Sequence, residues 1–281
     1  MDPQAAEGPE YVLGHSRGEL KRLALQGRIY ENATLDMLEQ AGIGPGLRVL
    51  DVGCGAGDVS LLAARLVGPT GSVTGVDRVA AAIATARNRA ASSGLGNVEF
   101  SQEGLEGQDV TRPFDAVIGR FILMHQDDPA ELLAQCAARV RPGGSVAFLE
   151  SHMYGSVPGV HSHPHSEVYD RIVKLKIAVI EAVGAQCDMG YRLPATFQEA
   201  GLPRPHLRMS GVVEGHPESD LFRFAAESVR SMLPMIRRHG IAQLTDSDVD
   251  ALEPDLRAEV TEKRGVLVAP LVVAAWTMLP H

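Results

Sequence analysis

The sequence predicts an α/β protein built on a mostly parallel β-sheet. Between Arg48 and Glu150, short apolar runs alternate with helical patterns, and this alternation is typical of right-handed crossovers between parallel strands. The chain has 281 residues, of which 45% are hydrophobic and 22% are charged, so it can bury a substantial core. A glycine-rich turn follows the first apolar run, at the point where the first strand of the predicted sheet gives way to a helix.

This half of the chain is predicted to contain five strands and three helices. The strands are expected at Arg48–Asp51, Ser72–Asp77, Val98–Ser101, Phe114–Gly119 and Gly144–Glu150. The helices are expected at Asp58–Val67, Val79–Ser93 and Asp128–Val140. Pro129 suits the first turn of the third helix, and a Pro-Gly-Gly turn is predicted before the fifth strand.

The regular alternation ends at Ser151, where a loop containing four of the ten histidines is predicted to run to Ser166. Further helices are expected at Glu167–Val183, Arg192–Ala200, Ser219–Arg238 and Ser247–Lys263, and strands at Leu207–Val213 and Val266–Met278. The two helices inserted before the final strand are typical of a lid over a site. Core packing alone also explains their apolar stripes.

Charge and cysteine content exclude several classes of protein. The formal net charge of −9 argues against a nucleic-acid groove, which usually carries a basic surplus. No apolar run reaches about 18 residues, so no membrane span is predicted, and residues 1–10 lack the pattern of a secretory signal. The three cysteines, Cys54, Cys136 and Cys187, form neither a disulfide framework nor a zinc motif. We therefore expect a cytoplasmic protein.

The strongest local signal is the segment Val49–Asp58, with the sequence VLDVGCGAGD. Its glycines let the backbone turn sharply and let a ligand approach without a Cβ in the way. The helix that follows offers unpaired N–H groups and a partial positive charge at its start. Asp77 ends the second strand, where an acidic residue can accept hydrogen bonds from both hydroxyls of a ribose.

Two ligand classes suit a glycine turn of this kind. Dinucleotides favour the spacing G-x-G-x-x-G, but the sixth position here is Asp58, and a carboxylate close to a pyrophosphate is unfavourable. A ligand with an amino-acid end fits better, because its ammonium group is attracted by Asp51. S-adenosylmethionine (SAM) has such an end, together with a ribose and an adenine. A glycine turn that binds no ligand is the remaining alternative.

Four segments together resemble the class I SAM-dependent methyltransferases: VLDVGCGAGD, GVD, Phe114–Val117 and Val140–Gly144. The chain looks most like the branch that includes ubiquinone and menaquinone biosynthesis enzymes and many bacterial small-molecule, natural-product methyltransferases. The resemblance implies a Rossmann-like, seven-stranded, mostly parallel sheet with an antiparallel last strand and helices on both faces. It also places SAM at the carboxyl ends of the strands.

The resemblance implies a role for each matching residue. The implied cofactor-binding residues are Tyr11, Gln26, Asp51, Gly53, Cys54, Gly55, Gly57, Asp77, Arg78, Glu103, Gly104, Leu105 and Arg120. The glycine turn would line the methionine end of SAM, and Asp51 would face its ammonium group. Asp77 would hold the ribose, Arg78 would lie beside the adenine, and Arg120 would meet either the cofactor carboxylate or solvent. Tyr11 and Gln26 would close over the cofactor.

The chain departs from the family after the third strand. Family members often carry Gly-Asp-Ala there, and the aspartate meets the adenine amino group. Here the stretch reads Gln-Glu-Gly-Leu-Glu, with Gly104 at the position of that aspartate. Glu103, Gln102 or the backbone of Leu105 would take its place.

Histidines are the candidate bases, because imidazole titrates near neutral pH and can remove a proton from a hydroxyl. His125 follows the fourth strand, while His152 and His161 lie in the loop that borders the acceptor pocket in this fold; packed or exposed histidines are the alternative. His161, His163 and His165 would share one face of an extended chain and could hold zinc. Because Pro164 interrupts them and no cysteine or acidic ligand motif accompanies them, no metal is predicted.

The expected activity is transfer of a methyl group from SAM to O, N or C of a small, partly apolar acceptor, with S-adenosyl-L-homocysteine as the product. The donor is already activated, so the protein mainly has to position the acceptor and exclude water. The alternatives are a SAM-binding enzyme that catalyses a cyclisation or decarboxylation, and a non-catalytic SAM-binding partner protein. A nicotinamide oxidoreductase is disfavoured by Asp58.

The chain is expected to form one compact domain with three parts. Residues 1–45 would form an N-terminal helical cap, residues 46–151 the SAM-binding core, and residues 152–281 the acceptor side, with a helical lid over about 217–264. The resemblance also allows a homodimer.

Overall fold

Ten strands and nine α-helices lie in the part of the chain that the computed structural model describes, residues 17–108, 111–154 and 161–281. The strands are β1 (Arg48–Val52), β2 (Ser72–Val76), β3 (Val98–Ser101), β4 (Phe114–Arg120), β5 (Val140–His152), β6 (Ser162–His163), β7 (His206–Ser210), β8 (Val213–Glu214), β9 (Val266–Val268) and β10 (Leu271–Met278). The helices are α1 (Arg17–Ile29), α2 (Glu31–Gln40), α3 (Asp58–Val67), α4 (Ala80–Ser92), α5 (Pro129–Ala137), α6 (Glu167–Ala182), α7 (Met189–Glu199), α8 (Asp220–Arg238) and α9 (Asp246–Glu262). A 3₁₀ turn, Leu123–His125, follows β4.

Seven strands form one sheet in the order β3-β2-β1-β4-β5-β10-β7. The first five are parallel to one another, and β10 runs antiparallel to both β5 and β7. The predicted fold class, a mostly parallel seven-stranded sheet with an antiparallel last strand, is confirmed. Because β1, β2 and β4 are parallel neighbours, their carboxyl ends meet at one edge, which is where ligands bind in sheets of this kind.

The strand β5 is longer than the sequence predicts. The expected Pro-Gly-Gly turn already belongs to the strand, with an irregular register against Phe114 and Ala116 of β4. Backbone pairing causes this: the Gly144 carbonyl accepts from the Leu279 N–H at 2.8 Å, and the Gly143 N–H donates to the Leu279 carbonyl at 3.2 Å. As a result α5 ends at Ala137 instead of at the predicted Val140, and β5 continues into the start of the predicted loop.

Two predicted strands are each divided between the main sheet and a smaller sheet of order β6-β9-β8. The prediction of one strand over Val266–Met278 is wrong, because the chain breaks at Ala269 and Pro270. There the Ala269 N–H donates to the Val212 carbonyl at 2.9 Å, and Pro270 has no N–H with which to continue a ladder. The predicted strand Leu207–Val213 is divided in the same way between β7 and β8.

The two inserted helices connect β8 to β9. The helix α8 packs against α1, α6 and α9, and the Ser219 hydroxyl caps it by accepting from the Leu221 N–H at 3.1 Å. Within the described ranges, every helix is too short or too polar to serve as a membrane span. The insertion therefore packs against α1 and α6. The division of the chain into cap, core and acceptor side stays a prediction.

Candidate functional site

A cavity of about 440 Å³ opens at the carboxyl ends of β1, β2 and β4. Gly53 lines it just after β1, Asp77 just after β2, and Arg120 at the end of β4. The volume is within the range of small-molecule sites, roughly 300–1,000 Å³. The three residues come from distant parts of the chain and converge because their strands are neighbours in the sheet.

Two glycines of the turn between β1 and α3 occupy positions that exclude a side chain. Gly53 has a φ of +68°, and a Cβ built on it would lie 2.5 Å from Cδ1 of Ile122. Gly57 has a φ of +82°, and its Cβ would lie 3.0 Å from the Phe100 ring. A Cβ on Gly55 would instead meet nothing within 4 Å, because Gly55 lines the cavity. The turn therefore packs tightly at its two ends and presents bare backbone to a ligand at its centre.

Asp77 joins the end of β2 to this turn. Its Oδ2 accepts a hydrogen bond from the Gly55 N–H at 2.9 Å, and its Oδ1 accepts one from the Val79 N–H at 2.9 Å. Each carboxylate oxygen can accept a second hydrogen bond. The half-buried carboxylate is thus oriented by the backbone and keeps acceptor capacity for two hydroxyl groups.

The segment after β3 forms another side of the cavity. Gly104 and Leu105 line it, and so does Glu106, which the sequence analysis did not single out. Glu106 lies beside Arg78, with 3.6 Å between Oε1 and Nη2. Glu103 packs against Gly107 instead, since a Cβ on that glycine would lie 2.5 Å from the Glu103 Cβ.

Two charged groups lie close to the glycine turn. Asp51 is 1% exposed and accepts a hydrogen bond from the Ser60 hydroxyl at 2.5 Å, and burial raises the pKa of Asp51 to about 7. Arg120 donates to the Thr34 hydroxyl at 3.0 Å; burial lowers the pKa of Arg120, against the opposing charges of Asp58 and Asp51. Arg120 is part of the cavity wall, whereas the buried Asp51 does not line the cavity.

The structure brings most of the predicted cofactor residues into one wall. Those that line the cavity are Gln26, Gly53, Cys54, Gly55, Asp77, Arg78, Gly104, Leu105 and Arg120. Asp51, Gly57 and Glu103 do not line it, and Tyr11 lies outside the described residues. Burial raises the pKa of the Cys54 thiol, so this side chain stays protonated and contributes shape instead of charge.

A second cavity of about 80 Å³ shares Gln26, Phe121 and His125 with the first. Helices α6 and α8 form much of its wall, which includes the side chains of Ile180 and Phe224. The two cavities are therefore neighbouring compartments of one site. The larger one reaches the carboxyl ends of the strands, and the smaller one is lined by residues of α6 and α8.

His125 stands in the wall common to both cavities. Burial, together with the nearby charge of Arg22, lowers the pKa of His125 to about 4. At neutral pH the imidazole is therefore uncharged, and one of its nitrogens can accept a proton. Of the three predicted base candidates, His125 is the one that the structure places between the two compartments.

A family profile described as "Methyltransferase domain" matches residues 43–201, more than half of the 281-residue chain. The chain belongs to this methyltransferase-domain family. The predicted family is therefore confirmed, together with SAM as the cofactor that goes with it. The matched region contains the glycine turn, Asp77, Arg120 and His125, so it includes the residues on which the larger cavity depends.

Two curated relatives of this methyltransferase domain are ubiquinone biosynthesis O-methyltransferases. The protein from Sodalis glossinidius is 38% identical over 114 residues, which are 40% of this chain and 44% of the relative. The protein from Serratia proteamaculans is 40% identical over 102 residues, which are 36% of this chain and 41% of the relative. The chain thus spans less than half of the length of these relatives.

Among solved structures, the methyltransferase domain is similar to a cyclopropane-fatty-acyl-phospholipid synthase-like protein from Lactobacillus casei. The TM-score is 0.55 and the identity is 17%, with 95% of each chain covered. At this identity the likeness concerns the fold alone.

The other two histidine candidates of the methyltransferase domain line neither cavity. His152 is 6% exposed and stacks on Tyr191, with ring centroids 3.7 Å apart. His161 stands at the start of β6, where its carbonyl accepts from the Val268 N–H at 2.8 Å. Within the described ranges, no group of three or more His, Cys, Asp or Glu side chains is placed to hold a metal ion.

Two cations that line the smaller cavity, Arg22 and Lys176, were not predicted from the sequence. A signal for Lys176 exists in the sequence. It falls on the same helical stripe as Ile172, Val173 and Val179, all of which are buried, so a lysine stands where the pattern calls for an apolar residue.

Proposed function

We propose that this chain is a SAM-dependent enzyme that methylates a hydroxyl oxygen of a small, partly apolar molecule. The observation that carries the proposal is the shared wall of the two cavities, in which His125 stands between them. The name of the relatives, ubiquinone biosynthesis O-methyltransferase, supports oxygen over nitrogen or carbon as the atom that is methylated.

The larger cavity suits SAM in its residue types. Asp77 would accept hydrogen bonds from the ribose hydroxyls, and the bare backbone of Gly55 leaves room for the ligand beside it. Arg120 would meet the carboxylate of the methionine end. The ammonium group of that end would favour the ionised form of Asp51, whose pKa burial raises to about 7. When bound, SAM supplies a methyl group on a positively charged sulfur.

The smaller cavity, of about 80 Å³, would hold one end of the acceptor, and the acceptor hydroxyl would lie beside His125 in the wall that both cavities share. Bound SAM would supply the methyl group to the acceptor oxygen and leave as S-adenosyl-L-homocysteine, and the imidazole of His125 would take the hydroxyl proton. A weakly basic imidazole is sufficient, because the oxygen becomes strongly acidic as it gains the methyl group. Phe224 and Met232 of α8 cover this compartment and would keep water from the reacting atoms.

Several finer expectations go with this proposal as predictions from the sequence. They are an acceptor of natural-product or quinone type, a cytoplasmic location and a homodimer.

The proposal is tested by calorimetry with SAM and S-adenosyl-L-homocysteine, followed by mass spectrometry of hydroxylated aromatic acceptors. We expect the wild-type protein to bind both cofactor forms and to add one methyl group to an acceptor. Asp77→Asn should weaken SAM binding roughly tenfold or more, since hydrogen bonds to a charged acceptor contribute about 1.5–3 kcal/mol.

Glu199→Gln is the matched control, because it changes an exposed carboxylate at the end of α7 that lines neither cavity. Its SAM affinity should equal that of the wild type. Absence of binding to both cofactor forms by folded protein contradicts the proposal. Binding without turnover on any acceptor favours the non-catalytic partner protein, and turnover without a gain of mass favours the cyclisation or decarboxylation enzyme.

A further inference from the structure

Two cations are buried at the smaller cavity. Arg22 of α1 is 3% exposed and Lys176 of α6 is 7% exposed, and both line this compartment. Burying an ammonium or guanidinium group is unfavourable unless a counter-charge accompanies it. Whether each of the two cations has a carboxylate partner within the protein therefore indicates whether the compartment can bind an anionic ligand.

Arg22 has a carboxylate partner on its own helix. Its Nε and Nη2 donate to the two oxygens of Glu19 at 2.8 and 2.6 Å, a two-point pairing that matches the planar guanidinium group. Glu19 is itself 2% exposed. This pair is therefore balanced in charge.

Lys176 has a different environment. Among the described residues, no carboxylate lies within 4.0 Å of its Nζ. The Nζ lies over the face of the Phe224 ring, 5.0 Å from the ring centroid. Arg22 approaches the same ring, with 6.0 Å between Cζ and the centroid. A ring face attracts a cation but does not neutralise it. Among the described residues that line this compartment, the ammonium group of Lys176 is thus a positive charge without a carboxylate partner.

The position of Lys176 connects this surplus charge to the reaction. The compartment it lines also contains His125, which faces the larger cavity as well. Apolar side chains, among them Ile180, Met153 and Met232, line the same compartment. A molecule that reaches from Lys176 to His125 would therefore be anionic at one end, apolar in its middle and hydroxylated at the other end.

We propose that Lys176 binds a carboxylate of the methyl acceptor and so selects hydroxylated aromatic or apolar monocarboxylates. The single surplus charge matches a monoanion, whereas a dianionic phosphate would leave excess negative charge beside Glu19. The inference rests on the proposed function, since it names the acceptor class of the same site. Lys176 acts on specificity, and the proton is taken by His125.

The test uses hydroxybenzoates and the matching hydroxybenzamides, which differ only in the anionic group. Binding is measured by calorimetry in the presence of S-adenosyl-L-homocysteine, and methyl transfer is measured separately with SAM. In the wild type we expect hydroxybenzoates to bind more tightly than their amides. In Lys176→Met, hydroxybenzoate affinity should fall roughly tenfold or more, as expected for loss of a charge-assisted contact, while amide affinity stays the same.

Two further variants make the result specific. Lys176→Arg should restore part of the preference for carboxylates, because the charge returns. Lys174→Met is the matched control on the same helix: this lysine is exposed and paired with Asp170 at 2.7 Å, and its removal should leave both affinities unchanged. The cofactor affinity of Lys176→Met should equal that of the wild type, which also confirms that the variant is folded.

Three outcomes overturn the inference. The first is equal loss of acid and amide binding in Lys176→Met, which indicates a packing role. The second is unchanged binding with a lower kcat for both acceptors, which assigns Lys176 as a base. The third is the absence of binding by any hydroxybenzoate. Absence of SAM binding would contradict the proposed function itself. Because cofactor binding is measured first, that result can be distinguished from a failure of the carboxylate inference alone.

Discussion

At the scale of single residues, Glu150 holds together the segment that connects the two cavities. Its Oε1 accepts hydrogen bonds from the N–H groups of Ile122 and Leu123, at 2.9 and 2.7 Å. Its Oε2 has no partner among the described residues, and burial raises the pKa of Glu150 to about 7. One carboxyl group thus fixes the backbone that places Ile122 against Gly53 and leads to His125.

Glu150→Gln is expected to change how stability depends on pH. Because the folded-state pKa is raised, the wild-type carboxyl group is protonated in the folded protein at acid pH, and its contribution to stability is lost as pH rises from about 4.5 to about 7. The amide variant does not ionise. Its free energy of unfolding relative to the wild type should therefore increase between pH 5 and pH 8, by about 1–3 kcal/mol.

Urea denaturation at several pH values measures this difference, and Glu199→Gln serves as the control for an exposed site. A constant difference between Glu150→Gln and the wild type across this range would show that Glu150 has an ordinary pKa in the folded protein.

His125→Gln is expected to remove the proton acceptor while retaining a polar side chain of similar reach. The kcat for a hydroxyl acceptor should fall roughly 100-fold or more, the usual range for loss of a general base. SAM affinity should change little. Since burial lowers the pKa of His125 to about 4, wild-type activity should lose this base only as pH falls towards 4, where the imidazole becomes protonated.

Steady-state kinetics and calorimetry measure the two effects, with His161→Gln as the control because His161 lines neither cavity. Equal kcat in His125→Gln and the wild type would show that His125 does not act as the base in the reaction.

At the scale of elements, the sequence predicted those whose signals are local. The helix Asp58–Val67 agrees with the prediction at both ends, and α6 and α8 agree to within a residue, because an apolar stripe lies within each segment. The divided strands were not predicted, since an apolar run does not show which sheet it joins. Pro270 within the last run was nevertheless a usable signal for the break.

The helix α9 offers a prediction at this scale. Thr245 forms a capping box with Asp248: the hydroxyl accepts from the Asp248 N–H at 3.1 Å, and the Asp248 carboxylate accepts from the Thr245 N–H at 2.8 Å. Thr245→Ala should lower the free energy of unfolding by about 1 kcal/mol. Cofactor affinity should not change, because α9 lines neither cavity.

Thermal unfolding followed by circular dichroism measures the loss, and Thr245→Ser should restore most of it because serine caps equally well. Weakened SAM binding in Thr245→Ala at low temperature would contradict the placement of α9 outside the site.

At the scale of the whole molecule, the two halves of the candidate site differ in how far the sequence could predict them. The cofactor side depends on the glycine turn and on Asp77, which are recognisable in short segments. The acceptor side is assembled from α1, α6 and α8, so Arg22, Lys176 and Phe224 meet only when the chain is folded. Selecting His125 over His152 and His161 required the same tertiary information, since the residue type is the same at all three positions and only the folded chain shows which of them lines a cavity.

The small sheet has a consequence for how new acceptor preferences can arise. β8 and β9 are paired neighbours, with Val213 opposite Val268, so the polypeptide leaves the scaffold and returns to it at points about 5 Å apart. A segment with adjoining ends can be exchanged for another of different length at small entropic cost. Residues 215–265 can therefore be replaced as one unit. A replacement segment that keeps the surface facing α1 and α6 would change the wall that α8 contributes to the smaller cavity and would leave the glycine turn and Asp77 of the larger cavity intact.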